Sequence, residues 1–368
     1  MRIRCYKNDL LKSVNIALKA VPSKTTMPIL ECILIDATSN LIRFSTNDME
    51  LGIETIVDGS IEEKGKVALD AKIFFEIIRR LPDSDVLIYA DDSHITTITC
   101  EKAKFTIPGK SGEDFVYLPM IERDEPLTIS QFTLKNMICQ TIFSIAPNDN
   151  NKLMTGELFE IKNNCLRIVS LDGHRIAIRR MTLRKEYTDR KVVVPGKTLN
   201  EISKILTGGI DDQVSIFFTK NHILFEFDRT MVVSRLIEGE YFRIDQMLSS
   251  DYETKITVNK KEFMSCIDRA TLLVREGDKK PIVISISDYS MELKIDSAMG
   301  SMNEEIDISK EGKDIVIGFN PKFLIDALKV IEEDEIDIYL VNPKAPCYIR
   351  DEDESYTYLI LPVNINHN

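Results

Sequence analysis

The segment LDGHR at residues 171–175 holds the side chains best suited to acid–base chemistry. It brings Asp172, His174 and Arg175 close together along the chain, and a carboxylate can orient an imidazole that moves a proton. No GxSxG or HExxH motif accompanies the segment, so neither a serine nucleophile nor a zinc-bound water is indicated. The Asp-Gly step follows the strand-like LRIVSL and is a strong turn signal. We therefore expect a turn that presents an exposed His174 and Arg175 for binding, with an enzyme site at this turn as the alternative.

Two Gly-Lys steps resemble the end of a phosphate-binding P-loop. Residues 196–198 read GKT and residues 109–111 read GKS. The full motif GxxxxGK[ST] needs an earlier glycine, and the chain has Lys191 and Lys104 at those two positions. Neither segment is expected to cradle the phosphates of a nucleotide.

The seven cysteines and four histidines are dispersed and never form a CxxC pair or another metal-ligand spacing. The sequence therefore predicts no metal site and no cofactor. Dispersed cysteines in an odd number fit free thiols in a reducing compartment. No window approaches the ~18 uncharged apolar residues of a membrane-spanning helix, and the start MRIRCYKNDLL lacks an apolar signal core. We expect a cytoplasmic protein that makes no membrane contact.

A basic position recurs at a fixed spacing of 125 residues, from Lys72 to Lys197 to Lys322. The segments around it repeat the same charges and apolar positions in register, and they span 66–81, 191–206 and 316–331. Each segment begins with the alternation of a short strand and continues with apolar residues three or four apart, which is typical of an amphipathic helix. A repeat of this length has the size of a domain.

Each copy of the repeat opens with a strand, a polar break and a second amphipathic helix, and it closes with segments rich in β-forming residues. The sequence therefore predicts an α+β protein of three similar domains, each with two helices and antiparallel sheets. The polar segments IERDEP (121–126) and SSDYET (249–254) are predicted connectors. The predicted domains are residues 1–122, 123–250 and 251–368.

The charge is unevenly distributed between the predicted helices and the rest of the chain. The formal net charge is −12, from 47 Lys and Arg against 59 Asp and Glu. The predicted helices together carry +9, which leaves −21 elsewhere; they span residues 7–20, 71–80, 131–146, 196–207, 259–275 and 320–331. Basic helices in an acidic protein suit contact with a phosphate backbone without base reading.

Two other interpretations of the basic helices stay open. Glu76 lies four residues after Lys72 and three before Arg79, so these charges could simply stabilise their own helix by a few tenths of a kcal/mol per pair. That pairing does not explain a positive excess on all six helices. The other alternative is an acidic scaffold for protein partners that never touches DNA.

The sequence resembles the beta subunit of bacterial DNA polymerase III, the family of replicative sliding clamps. The resemblance covers nearly the whole chain and rests on TTMPIL (25–30), VALDAKIFFEI (67–77), MTGELFEI with LRIVSLDGHRIA (154–177), VVVPGKTLNEI (192–202), IGFNPKFLIDAL (317–328) and LILPV (359–363). It implies a head-to-tail homodimer that forms a six-domain ring around duplex DNA. It also implies a non-enzymatic processivity factor that tethers the polymerase III catalytic subunit, the clamp loader, other polymerases and repair proteins.

Eight side chains are predicted to contact DNA. The resemblance implies Lys24 and Lys72 and, in the loop APNDNNKL, Asn148 and Lys152. The repeated basic helices add Arg79, Lys197, Lys204 and Lys322.

The resemblance also implies a pocket for short apolar peptides of the partner proteins, formed by Met154, Leu171, Gly173, His174, Arg175, Ile176, Phe242, Met247, Pro346, Leu359, Leu361, Pro362 and Val363. Burial would give such a site affinity and a few polar groups would orient the peptide. Phe242 stands where the family usually has proline, and Asn364 stands where a basic residue is common, so both positions bear on peptide preference. Deletion of residues 359–368 is expected to release partners and to leave the dimer intact.

The implied subunit interface joins two surfaces from different copies of the chain. One is the edge strand around Phe105 and Ile107, and the other is formed by Leu272 and Leu273 of the second copy.

Overall fold

The computed structural model describes residues 1–117, 119, 121–148, 150–274 and 280–365. Its described residues contain six α-helices, which are α1 (Lys7–Ala17), α2 (Ala71–Arg80), α3 (Gln131–Cys139), α4 (Gly196–Ile205), α5 (Lys260–Thr271) and α6 (Pro321–Leu328). The repeated helix is confirmed in position, because α2, α4 and α6 each begin 125 residues after the previous one. The helix predicted over 259–275 ends at Thr271, and Arg275 lies outside the described residues. None of the described helices is long and apolar enough to cross a membrane.

The strands follow the threefold repeat of the sequence. The first repeat holds β1 (Arg2–Tyr6), β2 (Cys32–Asp36), β3 (Ile42–Asn47), β4 (Leu51–Val57), β5 (Ser60–Glu63), β6 (Lys66–Asp70), β7 (Asp85–Ala90), β8 (Ile95–Cys100) and β9 (Ala103–Ser111). The second holds β10 (Leu127–Ser130), β11 (Gly156–Lys162), β12 (Cys165–Leu171), β13 (Arg175–Thr182), β14 (Arg190–Pro195), β15 (Gln213–Phe218), β16 (His222–Phe227) and β17 (Thr230–Arg235). The third holds β18 (Thr254–Asn259), β19 (Ile282–Ser287), β20 (Ser290–Ser297), β21 (Gly300–Gly312), β22 (Ile315–Phe319), β23 (Glu335–Leu340), β24 (Cys347–Arg350) and β25 (Tyr356–Ile360).

The first helix of each repeat follows its strand directly, so the predicted polar break between them is wrong. In the second and third repeats the polar residue is instead the last residue of the strand and caps the helix, whereas Tyr6 at this position in the first repeat makes no side-chain cap. The Ser130 hydroxyl accepts a hydrogen bond from the backbone N–H of Thr133 at 3.1 Å, and Oδ1 of Asn259 accepts one from Glu262 at 3.1 Å. Caps of this kind stabilise a helix by about 1 kcal/mol.

Residues Met1–Thr133 and Glu201–Leu236 form one compact unit. Its strands make one antiparallel sheet in the order β10-β15-β16-β17-β4-β3-β2-β6-β9-β8-β7-β1-β5. β17 and β4 join strands of two repeats, with Thr230 opposite Thr55 and their hydroxyl oxygens 3.0 Å apart. Helices α1 and α2 pack into the core, where the rings of Phe44 and Phe74 meet edge to face at 6.1 Å.

Residues Leu134–Asn200 and Ile237–Asn368 form the other compact unit. Its strands make one antiparallel sheet in the order β14-β11-β12-β13-β25-β24-β23-β18-β21-β20-β19-β22. β13 and β25 join the second and third repeats, with Ile176 opposite Leu359. The buried faces of α5 and α6 contribute Phe263, Ile267 and Leu324 to the core.

The middle repeat is divided between the two units. Its strands β10 and β15–β17 continue the sheet of the first repeat, whereas β11–β14 continue the sheet of the third. Strands of neighbouring repeats hydrogen-bond to each other across the repeat boundaries. Three similar sequence repeats therefore form two compact units. The domain bounds at 122 and 250 stay predictions from the sequence repeat.

The end of the last strand is part of the core. Leu359 and Ile360 belong to β25, which has a strand on either side, and both side chains are buried. Deletion of residues 359–368 is therefore expected to damage this unit itself, because removal of large buried side chains costs about 2–5 kcal/mol each. Point substitutions at exposed positions are the better test of the pocket.

Glu157 of β11 is a carboxyl group in the core of the unit that holds β11–β14. Its side chain is completely buried, it lies opposite Val194, and neither carboxyl oxygen has a hydrogen-bond partner among the described residues. Burial raises the pKa of Glu157 well above its ordinary value, and the nearby Thr141 hydroxyl offsets only part of this shift. Glu157 therefore stays protonated in the folded protein at pH values where an exposed glutamate is charged.

Replacement of Glu157 by glutamine is expected to stabilise the protein increasingly as the pH rises. Above the ordinary pKa of 4.5, Glu157 takes up a proton when the wild type folds, so this group lowers the free energy of unfolding as the pH rises, and the variant lacks that contribution. The difference grows by up to about 1.4 kcal/mol per pH unit until the raised pKa is reached. Chemical denaturation between about pH 5 and about pH 8 measures it. The exposed Glu186→Gln is the matched control, and identical pH profiles for wild type and Glu157→Gln would contradict the protonated state.

Candidate functional site

An apolar cluster covers one face of the β11–β14 sheet and its continuation into β25 and β24. Cross-strand neighbours point to the same face of a sheet, and this face carries Leu158, Val169, Leu171, Ile176, Ile178, Val193, Tyr348 and Leu359. The segment 237–248 packs on these strands through Ile237, Tyr241, Phe242, Ile244 and Leu248, together with Leu153 and Met154. The cluster therefore unites five predicted pocket residues, which are Met154, Leu171, Ile176, Phe242 and Leu359.

The rim of the apolar cluster exposes two further predicted residues. Met247 is 45% exposed and Leu361 is 37% exposed. The Tyr348 hydroxyl donates to the carbonyl of Met247 at 3.5 Å, and the N–H of Leu361 donates to the carbonyl of His174 at 2.9 Å. Exposed apolar side chains next to a buried apolar floor are the arrangement that an apolar peptide requires.

Phe242, which replaces the proline usual in the family, is half-buried against the cluster. Its ring meets that of Tyr241 edge to face at 5.5 Å. The larger side chain therefore fills space on this surface.

The predicted turn between β12 and β13 is confirmed. Oδ1 of Asp172 accepts hydrogen bonds from the backbone N–H groups of His174 at 3.0 Å and Arg175 at 3.2 Å. Gly173 has a φ of 84°, a conformation that glycine adopts without strain. The side chain of His174 is exposed, as predicted, and stacks on the ring of Phe323 at 6.0 Å.

Arg175 is buried, so the prediction of an exposed arginine at this turn is wrong. Its Nη1 donates to Asp326 at 2.7 Å, its Nε to Asp172 at 3.0 Å and its Nη2 to the carbonyl of Phe143 at 2.6 Å. The guanidinium also lies 4.4 Å from the ring centre of Phe323. All three nitrogens donate within the protein, and Arg175 therefore holds the turn in place and is not offered to a ligand.

The remaining predicted pocket residues have other neighbours. Val363 pairs with Gly318 of β22, to whose carbonyl its N–H donates at 2.8 Å. Pro346 and Pro362 are partly buried and are not members of the apolar cluster in the described part of the chain. Sequence reasoning missed Tyr241, Ile244 and Tyr348, although the alternation of apolar residues along β12 and β24 is a signal for one shared face.

The predicted DNA-contacting side chains are all exposed, but they differ in their ion pairs. In the unit of the first repeat, Arg79 pairs with Glu76 at 2.7 Å and Lys204 pairs with Glu201 at 2.8 Å. Self-stabilisation of the helix therefore accounts for these two. It does not account for Lys72, because Glu76 pairs with Arg79 and Arg80. Exposed lysines without an ion pair to any described residue are Lys24, Lys72, Lys152 and Lys322, while Asn148 and Lys197 are also exposed.

The strand β9 has an open edge beside an apolar groove. Its residues 103–107 pair with β8 alone, because β6 joins only at 109–111. Phe105 is 39% exposed and lines a groove of about 310 Å³ with Ile73 and Ile77 of α2. Lys102 and Lys104 are exposed along this edge.

The strand β21 has a matching open edge in the third repeat. Its residues 300–307 pair with β20 alone, because β18 joins only at 308–312. Leu272, just after α5, is 75% exposed, while Leu273 is partly buried against the core. Glu305 and Asp307 are exposed along this edge. The two edges thus have complementary features. The β9 edge has an apolar groove flanked by lysines, and the β21 edge has an exposed leucine flanked by carboxylates.

The residues that the structure describes contain no group of three His, Cys, Asp or Glu side chains placed to hold a metal ion.

Three family descriptions match the chain in succession. They are "DNA polymerase III beta subunit, N-terminal domain" over residues 1–119, "central domain" over 128–242 and "C-terminal domain" over 245–364. The chain is 34% identical to the beta sliding clamp of Staphylococcus epidermidis, with 99% of each protein covered.

Two solved structures illustrate the structural similarity. A putative DNA polymerase III beta subunit from Eubacterium rectale is 66% identical with a TM-score of 0.97, covering 99% of this chain and 100% of that one. The DNA polymerase sliding clamp from Bacillus subtilis is 34% identical with a TM-score of 0.96, covering 100% of both.

Proposed function

The chain belongs to the DNA polymerase III beta subunit family, and from that premise we propose that two copies join head to tail into a ring around duplex DNA. It has the three-domain α+β clamp fold and is a sliding clamp, an accessory subunit of the polymerase and not a catalyst. The observation that best supports the ring is the presence of two open, complementary sheet edges, at β9 and β21. We place the ring in the cytoplasm, where it would act on DNA.

The two edges suit a heterologous contact that closes on itself. Each copy offers one edge of each kind, so two copies use all four of these edges. Leu272 and Leu273 of one copy would enter the groove beside Phe105 and Ile107 of the other. The flanking lysines and carboxylates would add electrostatic complementarity, which guides association more than it adds affinity.

The lysines that form no ion pair with a described residue would contact the phosphate backbone inside the ring. They are Lys24, Lys72, Lys152 and Lys322, and Asn148 and Lys197 would add contacts of the same kind. Arg79 and Lys204 are held by glutamates of their own helices and would contribute less. Such contacts are weak and independent of sequence, so the ring can slide, and retention depends on topology.

The apolar cluster would bind short apolar peptides of the polymerase III catalytic subunit, the clamp loader, other polymerases and repair proteins. Met247 and Leu361 would cover the peptide at the rim, and His174 would supply a polar contact. Arg175 would support the turn from below. Gly173, Pro346, Pro362 and Val363 would shape the outer wall.

The retention of the loaded protein on closed circular DNA tests this function directly. After loading and gel filtration in moderate salt, the protein is expected to stay with a closed plasmid and to be lost once a restriction enzyme cuts it. The plasmid treated with an enzyme that has no site is the control. Equal retention on circular and linear DNA would show binding without a ring and contradict the proposal.

A further inference from the structure

The sheet face that carries the apolar cluster changes character along its strands. Leu158 of β11, Val169 of β12, Ile178 of β13 and Val193 of β14 form one apolar row across the sheet. Two residues further along the same strands and on the same face, the row reads Glu160, Arg167, Arg180 and Lys191. Two residues of a strand span about 7 Å, so a charged row borders the apolar cluster directly.

The charged row forms the floor of a basic cleft of about 670 Å³. The residues that line the cleft include five cationic ones, Lys162, Arg167, Arg180, Arg190 and Lys191, and three acidic ones, Glu160, Asp189 and Asp245. A local excess of two positive charges contrasts with the formal charge of −12 of the whole chain.

A short turn links the basic cleft to the apolar cluster. The 3-10 turn Ile244–Gln246 buries Ile244 in the cluster, while Asp245 accepts a hydrogen bond from Nη1 of Arg167 at 2.6 Å. That hydrogen bond holds the pKa of Asp245 below its ordinary value. Arg167 also donates to Glu160 at 2.6 Å. Its guanidinium therefore already has two carboxylate partners and holds the turn Ile244–Gln246 against the sheet, between the apolar cluster and the basic cleft.

Two of the five cationic lining residues remain available. Lys162 and Arg190 are exposed and have no ion pair to any residue that the structure describes, whereas Lys191 pairs with Glu160 at 2.7 Å. We propose that the basic cleft binds acidic side chains that flank the apolar segment of a partner peptide. This inference rests on the proposed peptide pocket and adds a charge preference to it.

The pattern of charges favours an acidic peptide over a nucleic acid. The carboxylates Glu160 and Asp245 already occupy Arg167 and Lys191, which leaves too few cations for a continuous chain of phosphates, whereas isolated carboxylates can meet Lys162 and Arg190 one at a time. An extended peptide advances about 3.3 Å per residue. An acidic residue about two positions beyond the last apolar anchor would therefore reach the charged row.

Fluorescence polarisation with three labelled peptides tests the proposal on the intact protein. Each probe has the same core of leucine and phenylalanine and is flanked on both sides by glutamates, glutamines or lysines. The wild type is expected to bind the Glu-flanked probe about three- to tenfold more tightly than the Gln-flanked probe at low salt, and the Lys-flanked probe least tightly. High salt is expected to remove the preference.

The double variant Lys162→Ala/Arg190→Ala is expected to reduce the Glu-to-Gln affinity ratio to about one. Lys64→Ala/Lys220→Ala removes two exposed lysines outside the cleft and is expected to keep the ratio, which separates local contacts from net charge. An unchanged ratio in Lys162→Ala/Arg190→Ala, or a wild type without acidic preference, overturns the inference.

A second variant separates this inference from the proposed function. Met247→Glu/Leu361→Glu places charges at the exposed rim of the apolar cluster and is expected to abolish binding of all three probes. Suppose that the wild type binds the Glu-flanked and Gln-flanked probes equally well and that this variant binds neither. The proposed peptide pocket is then supported, and only the proposed role of the basic cleft is refuted. If the wild type binds no probe, or the variant binds as well as the wild type, both proposals fall.

Discussion

Substitution of Leu272 by aspartate is expected to convert the dimer into a monomer. Leu272 is 75% exposed in the single chain, and in the proposed ring it enters the groove beside Phe105. Aspartate there would bury an unpaired charge, and loss of an interface anchor of this kind commonly costs about 2 kcal/mol or more. The ring contains two such interfaces. Native mass measurement is expected to change from about 84 kDa, two chains of 42.0 kDa, to the mass of one chain.

Two controls make the dimer prediction specific. Tyr289→Asp places the same charge at a side chain of the third repeat that is 83% exposed and is expected to leave the dimer intact. Phe105→Asp is expected to give a monomer by damaging the other edge. An equimolar mixture of Leu272→Asp and Phe105→Asp monomers should form a dimer with one intact interface, since each supplies the edge that the other lacks. A dimeric Leu272→Asp protein, or a mixture that stays monomeric, would refute the head-to-tail contact.

Reversal of Lys72, Lys197 and Lys322 to glutamate is expected to reduce the amount of protein retained on circular DNA about tenfold or more. The three positions begin the repeated helices, and each substitution changes the charge by two, so the formal charge per chain moves from −12 to −18. Each phosphate contact raises the affinity for DNA by releasing counterions. Loss of several contacts therefore lowers the affinity steeply and makes it less dependent on salt. Retention after loading and the salt dependence of duplex binding are the two measurements.

A variant with the same charge change provides the control for the DNA prediction. Lys64, Lys220 and Lys313 are exposed and lie outside the α-helices. Their joint reversal to glutamate gives the same net charge and is expected to keep most of the retention. Similar losses in both triple variants would mean that total charge, not the repeated helices, controls contact with DNA. Unchanged retention in both would support the alternative of a scaffold that does not touch DNA through these helices.

The sequence alone determined the features that depend on neighbours along the chain. The 125-residue repeat predicts the starts of α2, α4 and α6, because periodic apolar positions, capping residues and turn signals act over a few residues. The Asp-Gly turn before Arg175 follows from the same local chemistry. These patterns, with the family motifs, were sufficient to indicate the clamp fold and its function.

Only the tertiary structure decided which side chains are available for binding. Arg175 looks like an exposed ligand-binding group in the sequence and is buried, because its partners Asp326 and Phe143 come from distant segments. Arg79 and Lys72 look equivalent on one helix, yet Glu76 pairs with the first and not the second. Burial and ion pairing depend on contacts between segments far apart in sequence, and local periodicity does not contain that information.

The basic cleft is likewise a surface that local sequence patterns do not predict. Its floor takes one residue from each of four strands, Glu160, Arg167, Arg180 and Lys191, and each of them is merely a charged residue in an alternating strand when the sequence is read along the chain. Strand register sets these four side chains beside one another and beside the apolar cluster. The sequence thus determined the fold and the kind of partner, whereas register and packing decided where charge and apolar surface meet, because those are properties of pairs of strands and not of any one strand.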